Sequence, residues 1–136
     1  MYDVVPIGFV RSTLVDREAA PKQGIEGGAP DAQLVFERQY QDGLRDLHRG
    51  DEILLLTWLH RGDRSVLRVH PRDDPSAPLR GVFSTRSQDR PNPIGIHRVR
   101  IIEIESPLQL RVSDLEAFDG TPIIDIKPVL DPARER

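Results

Sequence analysis

Four short stretches of this chain carry side chains that could do chemistry. Pro21-Lys22-Gln23 opens a glycine-rich segment, and Trp58-Leu59-His60-Arg61 closes an apolar run. Thr85-Arg86-Ser87 leads into Arg90-Pro91-Asn92-Pro93-Ile94-Gly95. Asp114-Leu115-Glu116-Ala117-Phe118 runs into Asp119-Gly120-Thr121-Pro122. The third stretch is the stiffest. Pro91 and Pro93 fix their own φ and push Arg90 and Asn92 out of the helical region. Neither proline can donate a ladder hydrogen bond, so the segment is not a central strand. A rigid, polar loop with arginines at its entrance suits either a preorganised binding loop or a turn that fixes the next strand's entry. In the fourth stretch Asp-Gly-Thr-Pro is a turn by chemistry, because Gly120 accepts a positive φ and Pro122 stops pairing. Asp125 and Lys127 then fall on one face of the following strand, placed to pair.

Several chemistries are excluded. The chain has no cysteine, which removes disulfides, thiolate metal sites and cysteine nucleophiles and fits a reducing cytoplasm. No phosphate-binding P-loop, dinucleotide fingerprint or GxSxG elbow is present. His48, His60, His70 and His97 form no close ligand pair, so no metal is expected. Ser84, Ser87 and His97 have nothing to order them as a hydrolytic group. No apolar run is long enough for a membrane span. Net charge is -3, unlike a general nucleic-acid coat protein. A local basic patch is still readable. Arg80, Arg86, Arg90, Arg98 and Arg100 cluster there, opposed in that stretch by Asp89 alone.

The elements that must position these residues are short. The chain has 136 residues, which suits one domain, and its 12 prolines and 10 glycines cut it into small pieces. Strands are expected over residues 4–11, 34–38, 52–60, 66–70, 81–85, 96–105, 108–112 and 121–126. The alternation slips at Ile101-Ile102, which predicts a bulge. Ile53 to Leu56 and Trp58 form a nearly continuous apolar run, read as a buried strand. One short helix is expected over residues 40–48, with Asp42 as N-cap and Gly50 as stop. Residues 13–32 have no periodicity and read as a long loop, and 131–136 as a frayed tail. Many short strands between turn signals predict an all-β, mainly antiparallel barrel or sandwich.

The third and fourth stretches together, with Pro-Lys-Gln upstream, resemble the TrmO family, also called TsaA-like or VirR-like. That family shows TRS-x-x-RPNPIG, then a strand pair, then DGTP-x-x-DIKP. Both blocks stand here, over residues 85–95 and 119–128, and the resemblance extends from Val5 to Leu130. It implies a single small β-barrel with one short helix and long loops, spanning residues 1–136. It also implies a homodimer and an S-adenosylmethionine-dependent methyltransferase. The implied reaction is N6-methylation of N6-threonylcarbamoyladenosine beside the anticodon of transfer RNA. Two alternatives are a methyltransferase of the same fold acting on a small molecule, and a non-catalytic S-adenosylmethionine-binding module.

Carried over residue by residue, the resemblance assigns the cofactor to Pro21, Lys22, Gln23, His60, Arg61, Arg86, Ile96 and the backbone of Asp114, Leu115, Glu116 and Ala117. Arg86 or Arg61 would hold its carboxylate. Arg90 and Asn92 would lie near the methyl acceptor, and Asp119, Asp125 or His60 could help its nitrogen lose a proton. Transfer RNA phosphates would meet Arg80, Arg86, Arg90, Arg98 and Arg100. This chain has Pro-Lys-Gln where the family commonly has Pro-Arg-Gln, keeping charge but not the bidentate fork. The chain is also expected to lack the additional carboxyl-terminal domain of well-studied bacterial relatives.

Overall fold

The computed structural model describes residues 1–15 and 28–131. Alternation of side chains builds its wall. The strands are β1 (Gly8–Arg11), β2 (Ala32–Phe36), β3 (Glu52–Trp58), β4 (Arg68–Val69), β5 (Arg80–Gly81), β6 (Ile94–Ser106), β7 (Gln109–Val112) and β8 (Pro122–Pro128). Six of them close as a barrel in the order β1-β2-β7-β6-β3-β8, every pair antiparallel and β8 returning to β1. Closure leaves no unpaired edge. β4 and β5 form a separate two-stranded ribbon.

The interior is filled by one residue in two from each strand. Val10, Leu34, Phe36, Ile53, Leu55, Val99, Ile101, Leu110, Val112 and Ile123 make one buried cluster. Leu115 and Ala117, from the connection between β7 and β8, join it. β3 shows the alternation: Ile53, Leu55 and Thr57 are buried, whereas Leu54, Leu56 and Trp58 are half-buried on the outer wall. The expected continuous burial of that run is therefore corrected to a two-residue period. Chain direction alternates round the barrel. The ends of β1, β3 and β7 and the starts of β2, β6 and β8 consequently point to one rim.

The predicted bulge is present. Ile101 pairs with Val112 and Glu103 with Arg111, so Ile102 is the extra residue. Other expectations shift. The first strand starts at Gly8, because Val4 and Val5 are exposed, and the second runs two residues earlier than predicted, ending at Phe36. The 66–70 strand shrinks to the two residues of β4. The one short helix exists over Arg38–Leu44, but as a 3-10 helix with Asp42 inside it and no side-chain cap. Leu44 and Leu47 still pack against the core, and a spacing of three serves a 3-10 turn as well as an α-helix. Asp46, at φ 72, breaks any continuation. Beyond Gly81, which ends β5, residues 82–85 are not a strand. After β5 the chain turns through a 3-10 helix at Val82–Ser84, because hydroxyls there bond locally. Ser84 Oγ donates to the Gly81 carbonyl at 2.8 Å and Thr85 Oγ1 to the Val82 carbonyl at 2.8 Å.

Candidate functional site

Three of the four motif stretches meet at the rim just defined, and the connection after β3 is their hub. Leu59 N–H donates to the Pro93 carbonyl at 2.7 Å. Arg61 places its guanidinium 4.3 Å from the Phe118 ring centroid and donates from Nη2 to the Val15 carbonyl at 3.1 Å. Arg64 donates from Nε to the Pro91 carbonyl at 2.7 Å and from Nη2 to Asn92 Oδ1 at 2.9 Å. It also lies 5.3 Å from the Trp58 ring centroid. Asp63 N–H donates to Asp89 Oδ1 at 2.9 Å. Gly62 is required where it stands: a Cβ there would collide with the Gln88 carbonyl and press on Pro93 Cβ at 3.0 Å.

The β7–β8 connection closes the other side. Leu115 N–H donates to the Pro30 carbonyl at 3.1 Å and Asp119 N–H to the Leu14 carbonyl at 2.7 Å. Asp119 Oδ1 accepts from Ser12 N–H at 3.0 Å. Asp114 takes a φ of 39, and its N–H donates to Asp31 Oδ1 at 3.3 Å. Leu115 and Ala117 point inward, leaving the backbone of 114–118 along the rim. Among the described residues, the backbone groups of Ala117 have no hydrogen-bond partner.

The arginines divide into committed and free. Arg90 donates from Nη1 to the Thr85 and Ser87 carbonyls, both at 3.0 Å, and from Nη2 to the Val82 carbonyl at 2.6 Å. It holds its own loop together. Arg98 pairs with Glu52 at 2.9 Å, and Arg100 with the same carboxylate at 3.4 Å and with the Gly50 carbonyl at 2.7 Å. Arg98 keeps the Glu52 carboxyl below its ordinary range, mainly through the hydrogen bond. The five-arginine patch read from the sequence is thus corrected. Glu52 neutralises two of its members, from a strand some forty-six positions earlier. Arg80 and Arg86 are exposed and have no polar partner among the described residues.

The remaining predicted residues fall as follows. His60 is exposed at the end of β3. Ile96 stands on the outer wall, 40% exposed, opposite Leu56. Asp125 pairs with Lys127 at 3.1 Å, as their shared face predicts. Pro21, Lys22 and Gln23 lie outside the described residues, as does the tail beyond Asp131.

Sequence reasoning missed Thr57 and Arg64, gave Phe118 no role within its stretch, and set His97 aside. His97 Nε2 meets Thr57 Oγ1 at 2.8 Å, and Gly95 leaves the room. A Cβ at 95 would collide with Thr57 Oγ1 and approach His97 Nε2 to 2.9 Å. Burial, with the nearby Arg86 charge, pushes the His97 imidazole down to about 4, so it is neutral at pH 7. The one sequence signal for this pair was the glycine two positions before the histidine.

Residues 9–133 match the family model of the tRNA-methyltransferase O N-terminal domain. A "Probable S-adenosyl-L-methionine-binding protein" of Methanothermobacter thermautotrophicus is 42% identical over 123 residues, covering 90% of this chain and 86% of that one. The VirR protein of Rhizobium radiobacter, described in the same words, is 34% identical, covering 90% of this chain and 67% of that one. The crystal structure of TrmO from Pseudomonas aeruginosa superposes with a TM-score of 0.75 at 30% identity. It covers 100% of this chain, which spans 59% of the solved one.

Proposed function

The chain belongs to the tRNA-methyltransferase O N-terminal domain family, and from that premise we propose that it is an S-adenosylmethionine-dependent methyltransferase. Its acceptor is N6 of N6-threonylcarbamoyladenosine beside the anticodon of transfer RNA. The observation that carries this reading is the convergence, at one barrel rim, of the Arg61 guanidinium, the Phe118 ring and the backbone of 114–118, with Arg86 in the adjoining loop. These match what the cofactor offers: a carboxylate, an adenine edge and an apolar ring face.

The residues present fit that group. Arg86 has no competing polar partner among the described residues and is suited to hold a carboxylate. Ala117 offers an N–H and C=O without partners among the described residues, beside the buried Leu115 side chain. Arg61, stacked on Phe118, is held in place before anything binds. Pro21, Lys22, Gln23, Ile96 and the backbone of Asp114 and Glu116 are assigned to the same site on the family resemblance. When bound, the cofactor supplies an electrophilic methyl on a sulfonium. The chain's part is to orient the acceptor, and such positioning can lower a barrier by roughly 7–11 kcal/mol.

The acceptor nitrogen also has to lose its proton. Asp125 is engaged by Lys127, and Asp119 by the Ser12 N–H. The His60 imidazole has no partner among the described residues, which makes it the group best placed to take a proton. Arg90 and Asn92 shape the acceptor side through the rigid loop they belong to.

A homodimer is part of the reading. Leu54, Leu56 and Ile94 give the β3–β6 outer wall an apolar surface, with Ile94 45% exposed, suited to a second copy. No helix among the described residues is long and apolar enough to cross a membrane, and the absence of cysteine suits a cytoplasmic site. The pairing of Arg98 and Arg100 with Glu52 favours a second reading, a small-molecule acceptor, because it shrinks the cationic surface.

Nucleoside mass spectrometry separates these readings. The protein is incubated with S-adenosylmethionine and bulk transfer RNA from cells lacking the modification. A methylated threonylcarbamoyladenosine is expected. Unchanged nucleosides despite cofactor binding would reject the transfer RNA acceptor.

A further inference from the structure

We propose that Phe83 is a stacking platform for a nucleobase of the RNA acceptor, set between Arg80 and Arg86. The inference rests on the transfer RNA reading above and deepens it.

Phe83 is 79% exposed, while its neighbour Val82 is 1% exposed and anchors the turn. The turn is fixed from several sides. Val82 N–H donates to the Leu67 carbonyl at 2.9 Å. The Val82 carbonyl accepts from Thr85 N–H at 3.0 Å, Thr85 Oγ1 at 2.8 Å and Arg90 Nη2 at 2.6 Å. Ser84 Oγ donates to the Gly81 carbonyl. The ring is therefore presented by a backbone that is ordered before any ligand arrives, which removes much of the entropy cost of binding.

A lone exposed apolar residue needs no explanation. What distinguishes Phe83 is its flanks. Arg80 and Arg86 stand three positions to either side, both exposed and both without polar partners among the described residues. Three residues span at most about 10 Å, so the backbones of both arginines stay within that reach of Phe83 and their long side chains can meet what covers the ring. An aromatic face beside the Arg80 guanidinium, which has no polar partner among the described residues, matches a stacked base and its own backbone phosphate, with Arg86 left to the cofactor. A second copy of the chain suits it less well. A two-fold contact centred on Phe83 would set Arg80 and Arg86 against their own images, and like charges across an interface are costly. Since Arg86 is also the cation assigned to the cofactor carboxylate, a base on Phe83 would sit beside the methyl donor.

The test uses the full chain and a fluorescein-labelled anticodon stem-loop RNA bearing threonylcarbamoyladenosine, titrated at low salt by anisotropy. Phe83→Ala is expected to weaken RNA binding about 5- to 150-fold, the range for loss of one stacked base, while Phe83→Tyr stays near wild type. Arg80→Ala is expected to reduce the salt slope by about one. Calorimetric affinity of Phe83→Ala for S-adenosylmethionine is expected to match wild type. RNA binding by Phe83→Ala equal to wild type would overturn the platform and leave the transfer RNA reading intact. Loss of self-association by Phe83→Ala in sedimentation, with RNA binding unchanged, would make Phe83 a subunit contact instead. Cofactor binding without any RNA binding by wild type would reject both the platform and the transfer RNA acceptor.

Discussion

The Arg61 guanidinium lies 4.3 Å from the Phe118 ring centroid, and this one contact joins the end of β3 to the β7–β8 connection. A second donor of the same arginine reaches the Val15 carbonyl. Three segments distant in sequence are thereby fixed around one rim of the barrel. Arg61→Ala is expected to weaken S-adenosylmethionine binding at least several-fold, since a cation–π contact is worth about 0.5–1 kcal/mol at an exposed site and more when covered. Arg61→Lys should recover part of the loss. Calorimetric affinities of both variants equal to wild type would detach Arg61 from the site.

Arg86 and Arg90 look alike in sequence and behave oppositely in the fold. Arg90 is spent on three loop carbonyls, whereas Arg86 has no polar partner among the described residues. Arg90→Ala should cost at least about 1.5–3 kcal/mol of stability, the worth of one hydrogen bond to a charged group. Arg86→Ala should change stability by less than about 0.5 kcal/mol, as at an ordinary surface position. It should nevertheless lower cofactor affinity. Urea unfolding and calorimetry on both variants decide the matter, and a stability loss in Arg86→Ala matching that of Arg90→Ala would refute the division.

Much of this was legible in the sequence, for identifiable reasons. Turn signals between short apolar runs gave the antiparallel all-β class, the family resemblance narrowed it to a barrel, and the slip at Ile101-Ile102 gave the bulge at Ile102. Asp125 and Lys127 were readable as a pair because they are two apart on one strand. Long-range partners were not readable. Nothing near Arg98 announces Glu52, and nothing near Pro91 announces Arg64. The Val82–Ser84 turn reads as strand until the local bonds of Ser84 and Thr85 are known. Leu44 and Leu47 fit a 3-10 turn and an α-helix equally, and seven residues nucleate a helix poorly.

Gly62 makes the hub loop a packing problem with one solution. A Cβ there would meet the Gln88 carbonyl and Pro93. Backbone on one side and a proline ring on the other cannot rotate away. Gly62→Ala should therefore destabilise the protein by about 1–3 kcal/mol, the usual cost of overpacking. It should also displace the 88–93 loop that Arg64 and Leu59 hold. A melting temperature equal to wild type would mean that the loop has slack the contacts do not suggest.

His97 sets an acid limit on stability. Its folded pKa, about 4, lies below the ordinary value of 6.5, so the unfolded chain binds its proton first. The contribution is fully present above about pH 6.5. It is lost as pH falls through that value, and the loss levels off below about pH 4. A separation of this size corresponds to about 3 kcal/mol across the window. His97→Asn keeps a polar group facing Thr57 but cannot take up a proton. Urea midpoints measured from pH 7 down to pH 4 should fall steeply for wild type and more shallowly for His97→Asn. Parallel curves would place the acid sensitivity elsewhere, in carboxylates such as Glu52, whose folded pKa is also depressed but acts at lower pH.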